Sequence, residues 1–419
     1  MTFKDALKAQ RHNVRDYGMY IAFVAIIVFF SIWTKGTFIS SRNIIKLVNA
    51  TSFIAVLAVG MTLVIVIRHI DLSVGYLSGF LGAITAILMM KKGVPVGLTI
   101  PIVLLIGIAA GLLTAFLVAN LKIPAFVATL AGWLAYKGAL QFATLSTGTI
   151  IIENDAFNAL GNDFIPDIPG LNFWPGVHKV TLLLGLLAIV LFVTGEIRNR
   201  RKTQAYKFEV LPASMFIIKL VFLSAVVAGV TWILAGYQGL SWAAAILLAV
   251  VLIYSYVTSR TVTGRHIYAV GGNPEAAELN GISVKKITYL VFGSMGMLTA
   301  LAGILYASWL RSATTTAGDG MELDAIAAAF VGGVAVAGGV GKVTGSILGA
   351  LVMASLTNGM NLKGVDISVQ YIVRAAVLAF AVIFDVATRQ GIKVPWRRLL
   401  LWDSVGPLLK GAIRALLSR

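Results

Sequence analysis

"YIAFVAIIVFFSIWTKGTFISS", residues 20–41, opens with an uncharged, almost wholly apolar run from Tyr20 to Trp33. Extended back to residue 17, the run is about 25 Å long as a helix, close to the thickness of a bilayer's hydrocarbon core. Thr34, Lys35 and Gly36 follow it where a secretory signal would place an Ala-x-Ala cleavage site. The run therefore reads as a retained signal anchor and first membrane span.

Comparable runs recur along the chain. The expected spans are 17–33, 47–67, 72–90, 95–118, 124–145, 179–195, 213–235, 241–258, 287–310, 325–340, 343–356 and 369–387. The 419 residues are 58% hydrophobic and only 12% charged, where a soluble protein carries about 25% charged residues. The expected fold is an all-α integral membrane protein, a polytopic bundle of about twelve membrane segments. About ten are clear spans. The short, glycine-rich pair 325–340 and 343–356 either crosses twice or enters and returns.

Charge orients the bundle. Lys4, Lys8, Arg11 and Arg15 precede the first span, and Arg198, Arg200, Arg201, Lys202 and Lys207 fall within 196–212. Arg260, Arg265, Lys285 and Lys286 lie in 259–286, and the chain is basic from Arg389 onward. The positive-inside rule makes all four cytoplasmic, so both termini lie inside. The connection 147–178 carries Glu153, Asp155, Asp163 and Asp167 without Lys or Arg and fits outside, although Lys35, Arg42, Lys46, Lys91 and Lys92 also fall there. Residues 1–16 form a cytoplasmic tail, 17–387 one membrane domain, and 388–419 a basic tail able to lie as an amphipathic helix in the interface.

The net charge of +17 would suggest nucleic acid in a soluble chain. Here topology explains it, and no nucleic-acid partner is expected beside the lipid bilayer. The absence of cysteine excludes thiolate chemistry, disulfides and Cys-ligated zinc. His12, His69, His178 and His266 show no metal-ligand spacing, and no Ser, His and carboxylate set suggests a hydrolase. No catalytic residue and no metal site are expected.

"GGVGKVTG", residues 338–345, fails the phosphate-loop pattern, with Val336 at the required glycine and Val343 where Ser or Thr would hold magnesium. It reads as a tight turn, and the chain has no ATP site of its own. Gly75/Gly79, Gly107/Gly111 and Gly345/Gly349 read as close helix contacts. In "RHIDLSVG", residues 68–75, Asp71 and Ser73 either cap the span starting at Leu72 or belong to a substrate pathway. Gln141, Asn358 and Arg374, polar groups inside or beside spans, are further pathway candidates that could equally bond neighbouring helices.

"GGNPEAAELNGI", residues 271–282, reads as a short helix from Pro274 to Asn280 in a cytoplasmic connection. Asn273 is its N-cap, Pro274 suits the first helical position, Glu275 favours the first-turn dipole, and Gly281 is the stop.

Glu275-Ala276-Ala277 followed by Gly281 resembles the EAA-x-x-x-G loop by which ABC importer permeases dock on an ATPase subunit. With "HIDLSVG" and "VGGVAVAGGVGKVTGSILGAL", the wording of residues 45–388 resembles the monosaccharide permease family serving ribose, arabinose, xylose and galactose. Three spans in 179–258, where ribose-type members have one, are similar to the xylose-type branch. The resemblance implies a bacterial inner-membrane permease for D-xylose or a related monosaccharide. It implies a homodimer, two ATP-binding domains on a separate cytoplasmic chain, which hold ATP and magnesium, and an extracytoplasmic sugar-binding protein. It makes 259–286 the coupling loop, with Asn273, Pro274, Glu275, Ala276, Ala277 and Gly281 contacting the ATPase. An ion-coupled secondary transporter, with Asp71 as its one candidate carboxylate, is the rival. A membrane enzyme finds no catalytic constellation.

Overall fold

The computed structural model describes residues 14–145, 148–169, 176–208 and 210–390. The expectations for residues 1–13 and 391–419, including most of the basic amphipathic tail, fall outside the described residues.

The chain is an all-helical polytopic membrane protein. The long helices are α1 Val14–Trp33, α2 Ser41–Val66, α3 Val74–Ala86 (continued by a π-helical turn, Ile87–Lys91), α4 Val96–Ala119 and α5 Ala125–Thr144. A short α6, Asp155–Asn162, precedes α7 Lys179–Ala205, α8 Ala213–Ala235 and α9 Trp242–Arg260. Next come α10 Val262–Gly272, α11 Pro274–Leu279 and α12 Val284–Leu310. The last are α13 Met321–Val331, α14 Val343–Leu362 and α15 Ile367–Gln390. The two short strands β1 Thr149–Ile151 and β2 Ser312–Thr314 pair antiparallel, Ile150 opposite Ala313. Among the described residues, eight helices are long and apolar enough to cross a membrane, and α1 and α15 contain shorter apolar segments.

Apolar composition makes these helices; what they pack against decides their place. In the most apolar stretches of α2 and α12, 83% and 72% of residues are buried, and the two form the centre with α3, α4 and α14 around them. Because lipid gives no hydrophobic drive between helices, close contact depends on small residues. A Cβ on Gly107 or Gly111 would overlap the Gly296 or Phe292 carbonyl of α12. Gly345 and Gly349 meet Gly332 and Ala328 in the same way. Two of the three glycine pairs thus act as helix contacts; the third, Gly75/Gly79, meets irregular backbone instead. By contrast, α7 and α8 form a peripheral hairpin, and no residue in the apolar stretch of α8 is buried. Lys219 and Glu196 pair across it at 2.8 Å.

The expected span 325–340 is corrected. Its helix runs from Met321 to Val331 and stops at Gly332, giving way to a turn over 332–342. Eleven residues cover only about 16 Å, half the hydrocarbon core. Three glycines at positive φ, Gly333, Gly338 and Gly339, set this turn, a backbone no β-carbon residue takes cheaply. Ahead of α13, residues 315–320 are irregular, with Gly318 and Gly320 also at positive φ. They thread between helices because Gly75 and Gly79 on α3 leave room: a Cβ on Gly79 would overlap the Ala317 carbonyl. Irregular backbone at membrane depth survives only where protein or a water-lined cavity surrounds it.

Candidate functional site

Three regions bear on function: a polar helix at one end of the bundle, a cavity at the other, and a charged aromatic cluster between them.

The polar helix is α11. The Asn273 carbonyl Oδ1 accepts the Ala276 amide at 3.0 Å, Pro274 occupies the first position, and Gly281 stands at φ +81°. The helix ends at Leu279, one residue short of the expected Asn280, whose amide N–H closes on the Ala276 and Ala277 carbonyls. Glu275, Ala276, Glu278 and Leu279 face outward, but Ala277 is buried against its own chain and joins the core containing Ile267 and Ile287. Of the two alanines that the resemblance assigns to the ATPase contact, Ala276 is exposed and Ala277 is buried. Leu279 is 90% exposed, an apolar side chain at the tip of a polar helix. Helical periodicity over six residues could not show which way it points.

This helix is tied into the bundle through α10. Arg68 donates through Nε to the Gly271 carbonyl at 2.7 Å and through a terminal nitrogen to the Gly272 carbonyl. The Gly339 amide donates to the Val66 carbonyl at 2.8 Å, and the Tyr268 hydroxyl to the Gly341 carbonyl at 2.6 Å. Residues 338–342 thus form a turn that links α13 and α14 to the base of α11, while Val343, Thr344 and Gly345 of the expected turn already belong to α14.

At the opposite end, a cavity of about 580 Å³ is lined by residues that include Arg42, Asn49, Tyr237, Trp309, Asn358 and Arg374. Asn358 and Asn43 exchange amide hydrogen bonds of 2.8 and 3.1 Å, and Arg374 forms an ion pair with Asp324. Two of the five pathway candidates therefore meet here, both already partnered.

The other three lie elsewhere. Asp71 is 4% exposed; its Oδ1 accepts the Ser73 amide at 2.9 Å and the Ser73 hydroxyl at 2.6 Å. This is a tight turn whose helix starts at Val74, not Leu72. Gln141 is exposed on α5.

The turn and Gln141 flank a cluster not foreseen in the sequence. Trp133 Nε1 donates to Glu322 Oε1 at 3.0 Å, and the Tyr76 hydroxyl donates to Asp319 Oδ1 at 3.0 Å. Lys137 Nζ lies 5.2 Å from the Tyr76 ring centre and 5.0 Å from that of Trp133. Lys137 was the available signal, a lone charge in the span 124–145.

Residues 43–382 match the family model described as "branched-chain amino acid transport system / permease component". The xylose transport system permease protein of Escherichia coli K12 is 38% identical over 379 residues, covering 90% of this chain and 93% of that protein. Its Haemophilus influenzae counterpart is 37% identical over 383 residues, 91% of this chain and 99% of that protein. The ribose import permease protein of Escherichia coli K12 is 34% identical over 350 residues, 83% and 87% of the two chains. No solved structure matches. With a matching model across most of its length and relatives of this identity, the chain belongs to the family of branched-chain amino acid transport system permease components.

Proposed function

We infer that the chain is the membrane-spanning permease subunit of an ATP-driven importer for a monosaccharide, D-xylose or a related sugar. The observation that carries the reading is α11, a capped polar helix fixed to an otherwise apolar bundle, in a chain matching xylose permeases nearly end to end. The family model is named for branched-chain amino acids, but the relatives cited are named for xylose and ribose, which favours a sugar.

In this reading α11 docks on a separate cytoplasmic ATPase subunit whose two domains hold ATP and magnesium. Asn273 and Pro274 keep it rigid, Glu275 and Leu279 face the groove, and Gly281 fixes its exit. Two copies of the chain form the transporter, in a bacterial inner membrane, and a binding protein outside delivers the sugar. No covalent chemistry occurs on this chain. Closure of the ATPase domains pushes α11, and the Arg68 and Tyr268 contacts pass the movement to the 332–342 turn and on to α13 and α14. The expected sidedness is supported by position. Asp163 lies beside the start of α9, where Phe164 bridges Ser241, and Glu275 lies beyond the end of that helix, about 28 Å further on. Residues 17–387 are then the permease domain, with 259–286 as its coupling loop.

Gly281→Pro removes the left-handed exit, and Glu275→Arg places a cation at the first turn and the groove. In vesicles with ATPase and binding protein, both should abolish sugar-stimulated ATP hydrolysis and uptake together while membrane insertion and pairing of two copies of the chain survive. Near wild-type activity in both would refute the docking role. Cysteines introduced at Asp163 and Glu275 should react from opposite faces of sealed vesicles; reaction of both from one face would refute the orientation.

A further inference from the structure

The cluster around Lys137 has the chemistry of a carbohydrate site. Lys137 is the thirteenth residue of α5, about 10 Å from the Thr144 end, and inside the expected span 124–145 a charge facing lipid is costly. Its side chain does not snorkel toward that end; it lies over the Tyr76 and Trp133 rings. Among the described residues it forms no direct ion pair; its ammonium reaches the Tyr76 hydroxyl, with Asp319 on the other side of that group. Asp319, from the irregular segment 315–320, is exposed and holds the Tyr76 hydroxyl. Glu322 is 5% exposed, yet only one of its oxygens has a hydrogen-bond partner. Gln141 lies one helical turn beyond Lys137 on the same face of α5.

Lipid cannot complete this arrangement: the Tyr76 hydroxyl links Lys137 and Asp319, but hydrocarbon offers nothing to the remaining oxygen of Asp319 or to the other ammonium protons of Lys137. A sugar ring can. Its C–H face stacks on an indole or phenol ring, its hydroxyls donate to carboxylates, and its oxygens accept from an ammonium.

We propose that Tyr76, Trp133, Lys137, Asp319 and Glu322 form a monosaccharide contact site at mid-membrane, built where the irregular segment and α13 meet α3 and α5. The proposal rests on the sugar-importer reading and names the site at which the sugar is held in passage. Asp319 and Lys137 bind hydroxyls on the open side, and Trp133, held by Glu322, presents its ring as the platform.

The natural absence of cysteine allows a direct test. Thr316→Cys and Leu323→Cys flank the cluster at exposed positions, Leu323 being 59% exposed. In the complete transporter, D-xylose at ten times its half-saturating concentration should slow their reaction with a water-soluble maleimide about tenfold, as mass action requires. Mannitol should not. Lys137→Met and Trp133→Phe, each combined with Leu323→Cys, should lose that protection, and uptake should fall about 10- to 100-fold, the effect of one charge-assisted hydrogen bond. Val336→Cys in the distant 332–342 turn reports global rearrangement and should show no sugar protection. Unchanged labelling with and without sugar in a transporter that imports D-xylose overturns the site alone. Should wild-type vesicles import none of xylose, ribose, arabinose or galactose, the importer reading fails and the site falls with it. If Lys137→Met does not assemble, Trp133→Phe decides: retained protection and uptake contradict the proposal.

Discussion

The α10–α11 connection and the 311–342 segment are both interruptions in an apolar chain, and they are specified in opposite ways. Every determinant of α11 lies within nine residues: cap, proline, first-turn carboxylate and stop glycine run from Asn273 to Gly281. In the 311–342 segment the local determinants are glycines at positive φ, which permit its turns but do not hold them in place. Its irregular half is held by glycines of α3, more than two hundred residues earlier in the chain, and its half-helix by Trp133 and by Arg374. A docking surface, which α11 is proposed to be, can be specified locally because its partner would lie on another chain. A break inside the membrane must be built by the surrounding helices, since nothing else there can satisfy its backbone.

The sharpest way to break the contrast is at α3. Gly79→Leu puts a side chain onto the Ala317 carbonyl and should expel the 315–320 segment. Overpacking of this kind costs about 1–3 kcal/mol. Uptake should vanish and the detergent-solubilised protein should unfold at clearly lower temperature, whereas the locally specified α11 should keep its own structure. Retained uptake would mean that the irregular segment tolerates displacement.

A smaller effect is expected at the joint between the two regions. Arg68→Ala leaves the Gly271 and Gly272 carbonyls without that donor, at about 1–3 kcal/mol for hydrogen bonds to a charged group. ATP hydrolysis should persist while uptake per ATP falls several-fold. Parallel loss of both would place Arg68 in folding, not in coupling. Smaller again is Leu279→Gln, which removes a 90% exposed apolar side chain. Thermal stability should not change, while affinity for the ATPase subunit, measured by titration in detergent, should fall about tenfold, as for one buried apolar anchor.

These regions also show what could be read in the sequence. The apolar helices, the capped helix and the glycine contacts were legible because each signal is local or periodic. The half-helix was not: Ala325 to Val340 reads as one apolar run, and its break at Gly332 depends on glycine turns whose geometry follows from contacts with Val66 and Arg68. Asn358 and Arg374 stand out in the sequence as polar groups inside or beside spans, and both line the cavity, but their partners Asn43 and Asp324 were out of reach of any spacing rule. Trp133 and Glu322, 189 positions apart, are joined by folding alone.

The smallest effect concerns the end carrying the cavity. At Asp167 desolvation acts to raise the carboxyl's pKa, but the Val180, Lys179 and Ile168 amides and nearby His178 outweigh it and bring the value down to about 2. A depressed carboxyl contributes stability that is complete above its ordinary value of 3.8 and lost as pH falls through about 2. Unfolding temperature should therefore drop more between pH 4 and pH 2 in the wild type than in Asp167→Asn. Identical slopes would remove Asp167 from the account of that end.

The central claim is that ATP hydrolysis on another chain, transmitted through α11, moves a sugar through this one. The most direct measurement is accumulation of radiolabelled D-xylose in sealed vesicles containing this chain, with and without the ATPase subunit and binding protein, under imposed proton or sodium gradients. The account predicts accumulation only with ATP and all three components, indifferent to either gradient and abolished by Gly281→Pro. Gradient-driven accumulation by this chain alone, undiminished by Gly281→Pro, would contradict it and make the protein an ion-coupled carrier.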